Sequence, residues 1–383
     1  MRTIGVVTVG RSDYGIYLPI LRRIEADADL QLLLYVSGMH LSPEFGLTVE
    51  QIEADGFAIH ERVEMLLSSD SAEGVSKSMG LGTIGFAQAF GRQRPDVLLV
   101  LGDRFEMHAA AIAAVPFKIP VAHVHGGELS EGAIDDALRH SITKMSHLHF
   151  VSTEDYARRV IQMGEEPWRV LVSGAPSLDN LKSTKLLPRE QLEQRFGLNL
   201  ESPFLLVTFH PVTLEPDETK KHVTDLLLAL GESGMTTVFT YPNADAQGRM
   251  IIDLITEFSA KQKNSHIVAN LGTQAWFSLM KIAAAMVGNS SSGIIEAASF
   301  ALPVVNIGNR QRGRLRAANV IDVGYSQSEI AAAISRAVQP DFRAGLANIV
   351  NPYGDGQAAD RIVDGLRNAE ISDKLLVKRF HDQ

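Results

Sequence analysis

The sequence predicts two α/β domains, each a parallel β-sheet covered by crossover helices. Three observations predict it. The chain has 383 residues, more than the ~250–300 at which a single hydrophobic core stops growing. Short runs rich in Val, Ile and Leu alternate with longer helical patterns throughout, the pattern of successive strand–helix–strand units. A polar stretch from Pro176 to Asn199, with Lys182-Ser183-Thr184-Lys185 followed by Pro188, separates two such series and has the composition of a linker.

In chain order, the first series places strands at 4–9, 32–36, 97–101, 121–124, 148–151 and 170–172. The second places them at 204–208, 237–240, 267–268, 285–287, 304–307 and 320–322. Each is a short apolar run of the kind buried on both faces of a parallel sheet. The expected division is a first domain over 1–178, a second over 179–360 and a C-terminal helix within 361–383 that packs back on the first domain. No sequence repeat of fixed period is present, which excludes a solenoid.

Composition narrows the function. Hydrophobic residues make up 45% and charged residues 21%, as in an ordinary globular protein. A net charge of −9 argues against a nucleic-acid or anionic-membrane surface, because such surfaces gain affinity from Lys and Arg neutralising phosphates. The absence of cysteine removes disulfides, thiol nucleophiles and thiolate metal sites. The apolar run from Ile4 to Val9 is too short for a signal-peptide core, and no run approaches ~18 apolar residues. The expected location is the cytoplasm.

Polar residues cluster just after the predicted strands. Val9 leads into Gly10-Arg11-Ser12-Asp13-Tyr14, Val36 into Ser37-Gly38-Met39-His40, Leu101 into Gly102-Asp103-Arg104, and Val124 into His125-Gly126-Gly127-Glu128. In the second half Thr208 leads to His210, Thr240 to Tyr241-Pro242-Asn243, Val287 to Gly288-Asn289-Ser290-Ser291-Ser292, and Ile307 to Gly308-Asn309-Arg310. Ligands of doubly wound sheets bind outside the carboxyl ends of the strands. The expected active site therefore faces a cleft between the domains.

Among motifs, Gly80-Leu81-Gly82-Thr83-Ile84-Gly85 matches G-x-G-x-x-G but follows a polar stretch instead of a strand. That context favours glycines that let a helix pack closely over a dinucleotide loop. There is no Walker A sequence. The stretch from Gly288 to Pro303 is more specific, because a strand end, serine hydroxyls and a helix opening near Ser291 can bind phosphate without net positive charge. A plain Ser N-cap accounts for the same residues. Glu296, one turn on, is placed to reach ribose hydroxyls.

The stretch from His123 to Phe150 holds His123, His125, His140, His147 and His149 with Glu128, Asp135 and Asp136. His123 and His125, two apart, share a strand face, so a metal site is geometrically open, yet no third ligand stands at a suitable spacing. The expectation is no metal. Ordinary helix and strand packing is the alternative for His140, His147 and His149, and is the one expected for His149. Asp103 and Arg104, with His125, Glu128 and Asp135, could exchange protons with a substrate carbon, or form an ion-pair network between loops.

With those residues in view, the chain resembles the hydrolysing UDP-N-acetylglucosamine 2-epimerases of sialic-acid synthesis and their legionaminic-acid relatives. The blocks GRSDYG at 10–15, SGMHLSPEFG at 37–46, LGDRFE at 101–106, HGGELSEGAIDDALRHSITKMSHLHF at 125–150, FHPVT at 209–213 and VGNSSSGIIEAASFALPVVNIGNRQRGR at 287–314 carry the resemblance. It implies Rossmann-like domains of the GT-B type, a UDP-sugar substrate, no cofactor, and assembly as a homo-oligomer, dimer or tetramer. It matches Ser290 and Ser291 to diphosphate-binding serines, Glu296 to a ribose-binding acid, and Arg310 and Arg11 to further nucleotide contacts. His210 matches a histidine near the phosphates, His40 one lining the sugar side, and Asp103 and Asp135 carboxylates of the chemistry, with Arg104 beside the first. Many sialic-acid members carry Glu where this chain has His125, so either His125 or Glu128 takes that acid/base role. The His form resembles the legionaminic-acid branch, whose substrate resembles UDP-N,N′-diacetylbacillosamine.

The implied reaction eliminates UDP to a 2-acetamidoglucal and then adds water, releasing an N-acetylmannosamine-type sugar. Three other readings share the nucleotide grip. A GT-B glycosyltransferase needs only one base, a UDP-sugar sensor needs none, and a non-hydrolysing epimerase lacks the HGGE and RHSITKMSHLHF blocks.

Overall fold

The computed structural model describes residues 1–67, 71–130, 134–212, 216–242, 248–269 and 271–382. Glu131 to Ala133, Thr213 and Asn243, all within stretches singled out above, lie outside the described residues. The chain divides into two compact units. Unit 1 comprises Met1–Glu128, Ile134–Lys182 and Tyr353–Gln383, and unit 2 comprises Leu129–Ala133 and Ser183–Pro352. The division thus falls after Lys182, and the chain re-enters unit 1 at Tyr353, ahead of position 361.

Unit 1 is built on seven parallel strands: β1 (Arg2–Thr8), β2 (Leu30–Ser37), β3 (Ile59–Val63), β4 (Val97–Leu101), β5 (Val121–Val124), β6 (Leu148–Val151) and β7 (Val170–Val172), in the spatial order β3-β2-β1-β4-β5-β6-β7. Its central strands are buried on both faces, with Ile4, Val6, Leu34, Val36, Leu98 to Val100 and Val121 fully enclosed, as parallel sheets require. The helix Ala358–Asn368 completes this core with Ile362, Val363 and Leu366. Its first turn is capped from far away in sequence, because the Asp179 carboxylate accepts from the N–H groups of Ala358 at 3.0 Å and Ala359 at 2.6 Å.

Unit 2 repeats the plan with β8 (Phe204–Thr208), β9 (Thr236–Thr240), β10 (Ser265–Val268), β11 (Ala285–Gly288), β12 (Val304–Ile307) and β13 (Val320–Val323), ordered β10-β9-β8-β11-β12-β13 and all parallel. The G-x-G-x-x-G match lies inside the helix Ala72–Arg92 of unit 1. A Cβ at Gly82 would sit 2.6 Å from Met65 Cε, and one at Gly85 2.6 Å from Val63 Cγ1. Those glycines serve close packing. Among the described residues no helix is long and apolar enough to cross a membrane.

Candidate active site

In each unit the strand order reverses at one point, between β1 and β4 in unit 1 and between β8 and β11 in unit 2. Connections leaving the carboxyl ends of such strands run to opposite sides of the sheet and leave a crevice. The loops at those ends carry Arg11, Asp103 and Arg104 in one unit, and His210, Ser290 and Ser291 in the other.

In unit 1 the acid/base cluster spans the ends of β4, β5 and β6. His125 Nδ1 and Glu128 Oε1 lie 2.6 Å apart, and Ser152 Oγ donates to the same oxygen at 2.9 Å. Arg139, buried on the helix Ile134–Met145, donates to the Glu128 carbonyl at 2.9 Å and pairs with the Asp103 carboxylate. Asp136 lies 3.7 Å from Arg139 Nη1 and 3.4 Å from His140 Nε2. Asp135 sits in the first turn of that helix, half-buried. The cluster is thus tied together as a network of hydrogen bonds and ion pairs between loops.

His123 and His125 are not a same-face pair. β5 ends at Val124, and His125 adopts φ 63°, a left-handed conformation. His123 Nε2 meets the Gly102 carbonyl at 2.7 Å, while His125 turns to Glu128. Burial lowers His123 to about 3, so it stays neutral. Among the described residues no group of three or more His, Asp or Glu side chains could hold a metal ion. His149 is buried with Nε2 3.0 Å from Glu165 Oε2, the packing role expected of it.

His40, expected on the sugar side, is held between two threonine hydroxyls. It is fully buried, with Nε2 2.9 Å from Thr8 Oγ1 and Nδ1 2.7 Å from Thr48 Oγ1, so both ring nitrogens are committed within the protein. Burial pulls it down to about 4. Thr8 also donates to Asp13 Oδ2 at 2.6 Å, and the same oxygen accepts from Val9 N at 2.9 Å. Burial raises Asp13 to about 6 against those hydrogen bonds. Arg104 pairs with the fully buried Glu106 at 2.9 Å, its own side chain 34% exposed. Arg11 opens the helix Arg11–Glu25 and is exposed. Asp13, Glu106, Arg139 and Ser152 were not singled out from the sequence. Asp13, Glu106 and Arg139 lie inside quoted blocks, and Arg139 and Ser152 act through partners distant in sequence.

In unit 2 one asparagine organises three loops. Asn289 is fully buried; its Oδ1 accepts from His210 N at 2.7 Å and its Nδ2 donates to His210 O at 2.8 Å. Its own carbonyl accepts from Arg310 Nη1 at 3.1 Å and Gln311 Nε2 at 2.9 Å. Gly288 makes the approach possible: its φ is 138°, and a Cβ there would collide with the Thr208 carbonyl. Ser290, not Ser291, caps the helix Ser291–Ile295, accepting from Ser292 N at 3.4 Å. That helix is too short for a full macrodipole, so free N–H groups and hydroxyls carry any anion binding. Glu296 is its half-buried C-cap. Burial, with the Arg310 charge second, holds His210 down at about 3.

Residues 22–367 match the family model described as UDP-N-acetylglucosamine 2-epimerase. The chain belongs to the UDP-N-acetylglucosamine 2-epimerase family. The relatives agree over full length. The chain is 40% identical to the hydrolysing GDP/UDP-N,N′-diacetylbacillosamine 2-epimerase of Campylobacter jejuni, covering 100% of this chain and 99% of that one. It is 37% identical to the hydrolysing UDP-N,N′-diacetylbacillosamine 2-epimerase of Legionella pneumophila, covering 99% of each. Its fold matches the crystal structure of Neisseria meningitidis UDP-GlcNAc 2-epimerase bound to UDP-GlcNAc, with a TM-score of 0.83, 20% identity, and 96% of this chain and 99% of that one covered. Both units are accordingly Rossmann-like domains of a GT-B-type enzyme, and the protein is a hydrolysing nucleotide-sugar 2-epimerase.

Proposed function

We propose that the substrate is UDP-N,N′-diacetylbacillosamine, and that its UDP is eliminated before water adds. The full-length similarity to two hydrolysing relatives with that substrate in their names carries the choice of sugar, and His125 in place of the acid found in many sialic-acid members agrees with it.

The C2 proton of an N-acetylated hexosamine is not acidic, since no carbonyl adjoins it. Elimination solves this. A base takes the C2 proton, the C–H electron pair becomes the C1=C2 double bond, and the C1–O pair leaves with UDP. Water then adds its hydroxyl to C1 and a proton reaches C2 from the opposite face, releasing the free 2-epimer. Ser290, Ser291 and Arg310 stabilise the departing diphosphate, Arg11 adds a nucleotide contact, and Glu296 takes the ribose hydroxyls. A diphosphate beside His210 would favour its protonated form, so leaving-group charge and a proton arrive together. Asp103, His125 and Asp135 handle the protons on the sugar, with Glu128 behind His125 and Arg104 beside Asp103. His40, held by Thr8 and Thr48, lines the sugar side in this reading.

The reading includes a cytoplasmic location and a homo-oligomer, dimer or tetramer. Leu81, Ile84, Ile112 and Val115, which are 44%, 58%, 43% and 49% exposed, supply apolar surface for such assembly. Sedimentation measures it.

Incubation with UDP-N,N′-diacetylbacillosamine and, separately, UDP-N-acetylglucosamine in deuterated water tests the chemistry and the sugar. The expected product is a free 2-epimer with one deuterium at C2, with UDP released and, in labelled water, an anomeric oxygen from solvent. Product lacking C2 deuterium, or an epimer still attached to UDP, overturns the mechanism. Faster turnover of UDP-N-acetylglucosamine overturns the choice of sugar.

A further inference from the structure

Glu128 is 2% exposed, and its Oε1 lies 2.6 Å from His125 Nδ1 and accepts from Ser152 Oγ at 2.9 Å. A hydroxyl has one proton to donate, and Ser152 gives it to Glu128. A carboxylate offers only lone pairs, so the imidazole nitrogen 2.6 Å away supplies the proton of that contact, on Nδ1. Nε2 is left with the lone pair and makes no hydrogen bond among the described residues.

The backbone is bent to make this pairing. His125 sits at φ 63°, a left-handed conformation that is costly for a non-glycine residue. Gly127 follows at φ 76°, where a Cβ would lie 2.6 Å from the Tyr156 carbonyl oxygen, so only glycine lets the chain turn Glu128 back beneath His125. Arg159, from the helix Glu154–Gln162, holds the Gly127 carbonyl, and Arg139 holds the Glu128 carbonyl.

We propose that Glu128 and Ser152 are positioning residues that hold His125 in its Nδ1–H form and make Nε2 the base that removes the C2 proton. This deepens the proposed function and rests on it. In the step, Nε2 gains the proton, the C2–H pair forms the C1=C2 bond, the C1–O pair departs with UDP, and the Glu128 carboxylate balances the new imidazolium. The charged and titratable groups around His125 are Glu128 on its own loop, His123 on β5, Asp103 after β4, Arg139, Asp136 and His140 on the helix Ile134–Met145, and Arg159 on the helix Glu154–Gln162.

The tautomer is read without turnover. Long-range nitrogen–proton NMR of the labelled full chain, with the His125→Asn spectrum identifying the signal, is expected to show Nδ1 protonated and Nε2 bare. Protonation on Nε2 overturns the inference. Kinetics give the second readout. Glu128→Gln removes the balancing charge and is expected to lower kcat ~10–100-fold, as loss of a carboxylate behind a working histidine does, and to move the acid limb of kcat to lower pH. Ser152→Ala leaves a more basic carboxylate, so its acid limb moves to higher pH with KM unchanged, and Ser152→Thr restores the wild-type profile. Wild-type pH profiles in both variants, or a change in KM alone, overturn the inference while leaving the 2-epimerase reading in place. A wild-type enzyme that releases no 2-epimer overturns that reading, and the tautomer measurement still decides the pairing.

Discussion

Asn289 returns both polar atoms of its side chain to the backbone of His210, accepting from His210 N at 2.7 Å and donating to His210 O at 2.8 Å. The amide mimics one rung of a β-ladder and ties the loop after β8 to the loop after β11.

Asn289→Asp keeps the acceptor and replaces the donor with a second oxygen facing the His210 carbonyl. The expected loss is about 1–3 kcal/mol, the cost of leaving a buried group unpaired, read as a lower thermal midpoint. Calorimetric UDP affinity is expected to fall ~10-fold or more, because the His210, Ser290 and Arg310 loops lose their common tie. Wild-type UDP binding in this variant would separate Asn289 from the nucleotide site.

The hydroxyls themselves can be removed one at a time. Ser290→Ala, Ser291→Ala and Arg310→Ala are each expected to weaken UDP binding by about 1–3 kcal/mol, the range for hydrogen bonds to charged groups. Ser290→Ala alone also lowers stability, by ~1 kcal/mol, because Ser290 caps the helix Ser291–Ile295. Unchanged calorimetric affinity in all three would remove the diphosphate from this loop.

Gly288→Ala is expected to be far more damaging than its size suggests. A Cβ would strike the Thr208 carbonyl, and φ 138° is a conformation alanine resists. The expected cost exceeds ~3 kcal/mol, in the class of backbone-strain substitutions. A circular-dichroism melt within a degree of wild type would contradict it.

Acid should weaken the fold through its histidines. Burial holds His40 at about 4 and His123 and His210 at about 3 in the folded chain, while unfolding restores ~6.5. Each lowered value stabilises the fold above pH ~6.5 and is lost as pH falls toward the folded value; for His40 the amount is on the order of 3 kcal/mol. Urea midpoints are expected to drop steeply between pH 6.5 and 4. A flat profile would mean these rings are hydrated.

Asp13 has the opposite sign. Raised to about 6 by burial, it favours the fold most below its unfolded value of ~3.9 and loses that contribution as pH rises through 6. Asp13→Asn, which keeps an acceptor for Thr8 and Val9, is expected to raise the unfolding free energy at pH 8 by about 1–3 kcal/mol, read as a higher urea midpoint, with the difference vanishing near pH 4. A destabilised variant at pH 8 would show that the ionised carboxylate is needed.

The sequence made the buried strands legible because burial on both faces forces unbroken apolar runs such as Val97–Leu101 and Phe204–Thr208. It hid β3. Ile59-His60-Glu61-Arg62-Val63 is an edge strand with three polar residues in its middle, and its pairing with β2, not its composition, makes it a strand. Likewise Asp103 and Glu128 stand out by residue type and place after strands, whereas Arg139 and Ser152 matter only because folding brings them to those two side chains. His40 combines the two cases: its place in a family block marks it in the sequence, while its bonds to Thr8 and Thr48 exist only in the fold.

The capping of Ala358 and Ala359 by Asp179 has a consequence for synthesis. Most of unit 1 is translated before Ser183–Pro352, yet Ile362, Val363 and Leu366 of its core are translated only after that whole segment. Nascent chains of growing length, probed by proteolysis, should therefore show unit 2 protected first, while the earlier-made unit waits with part of its core uncovered. Of the two units, the one whose translation starts earlier is finished later, and in that interval it is the one that a holding chaperone would meet.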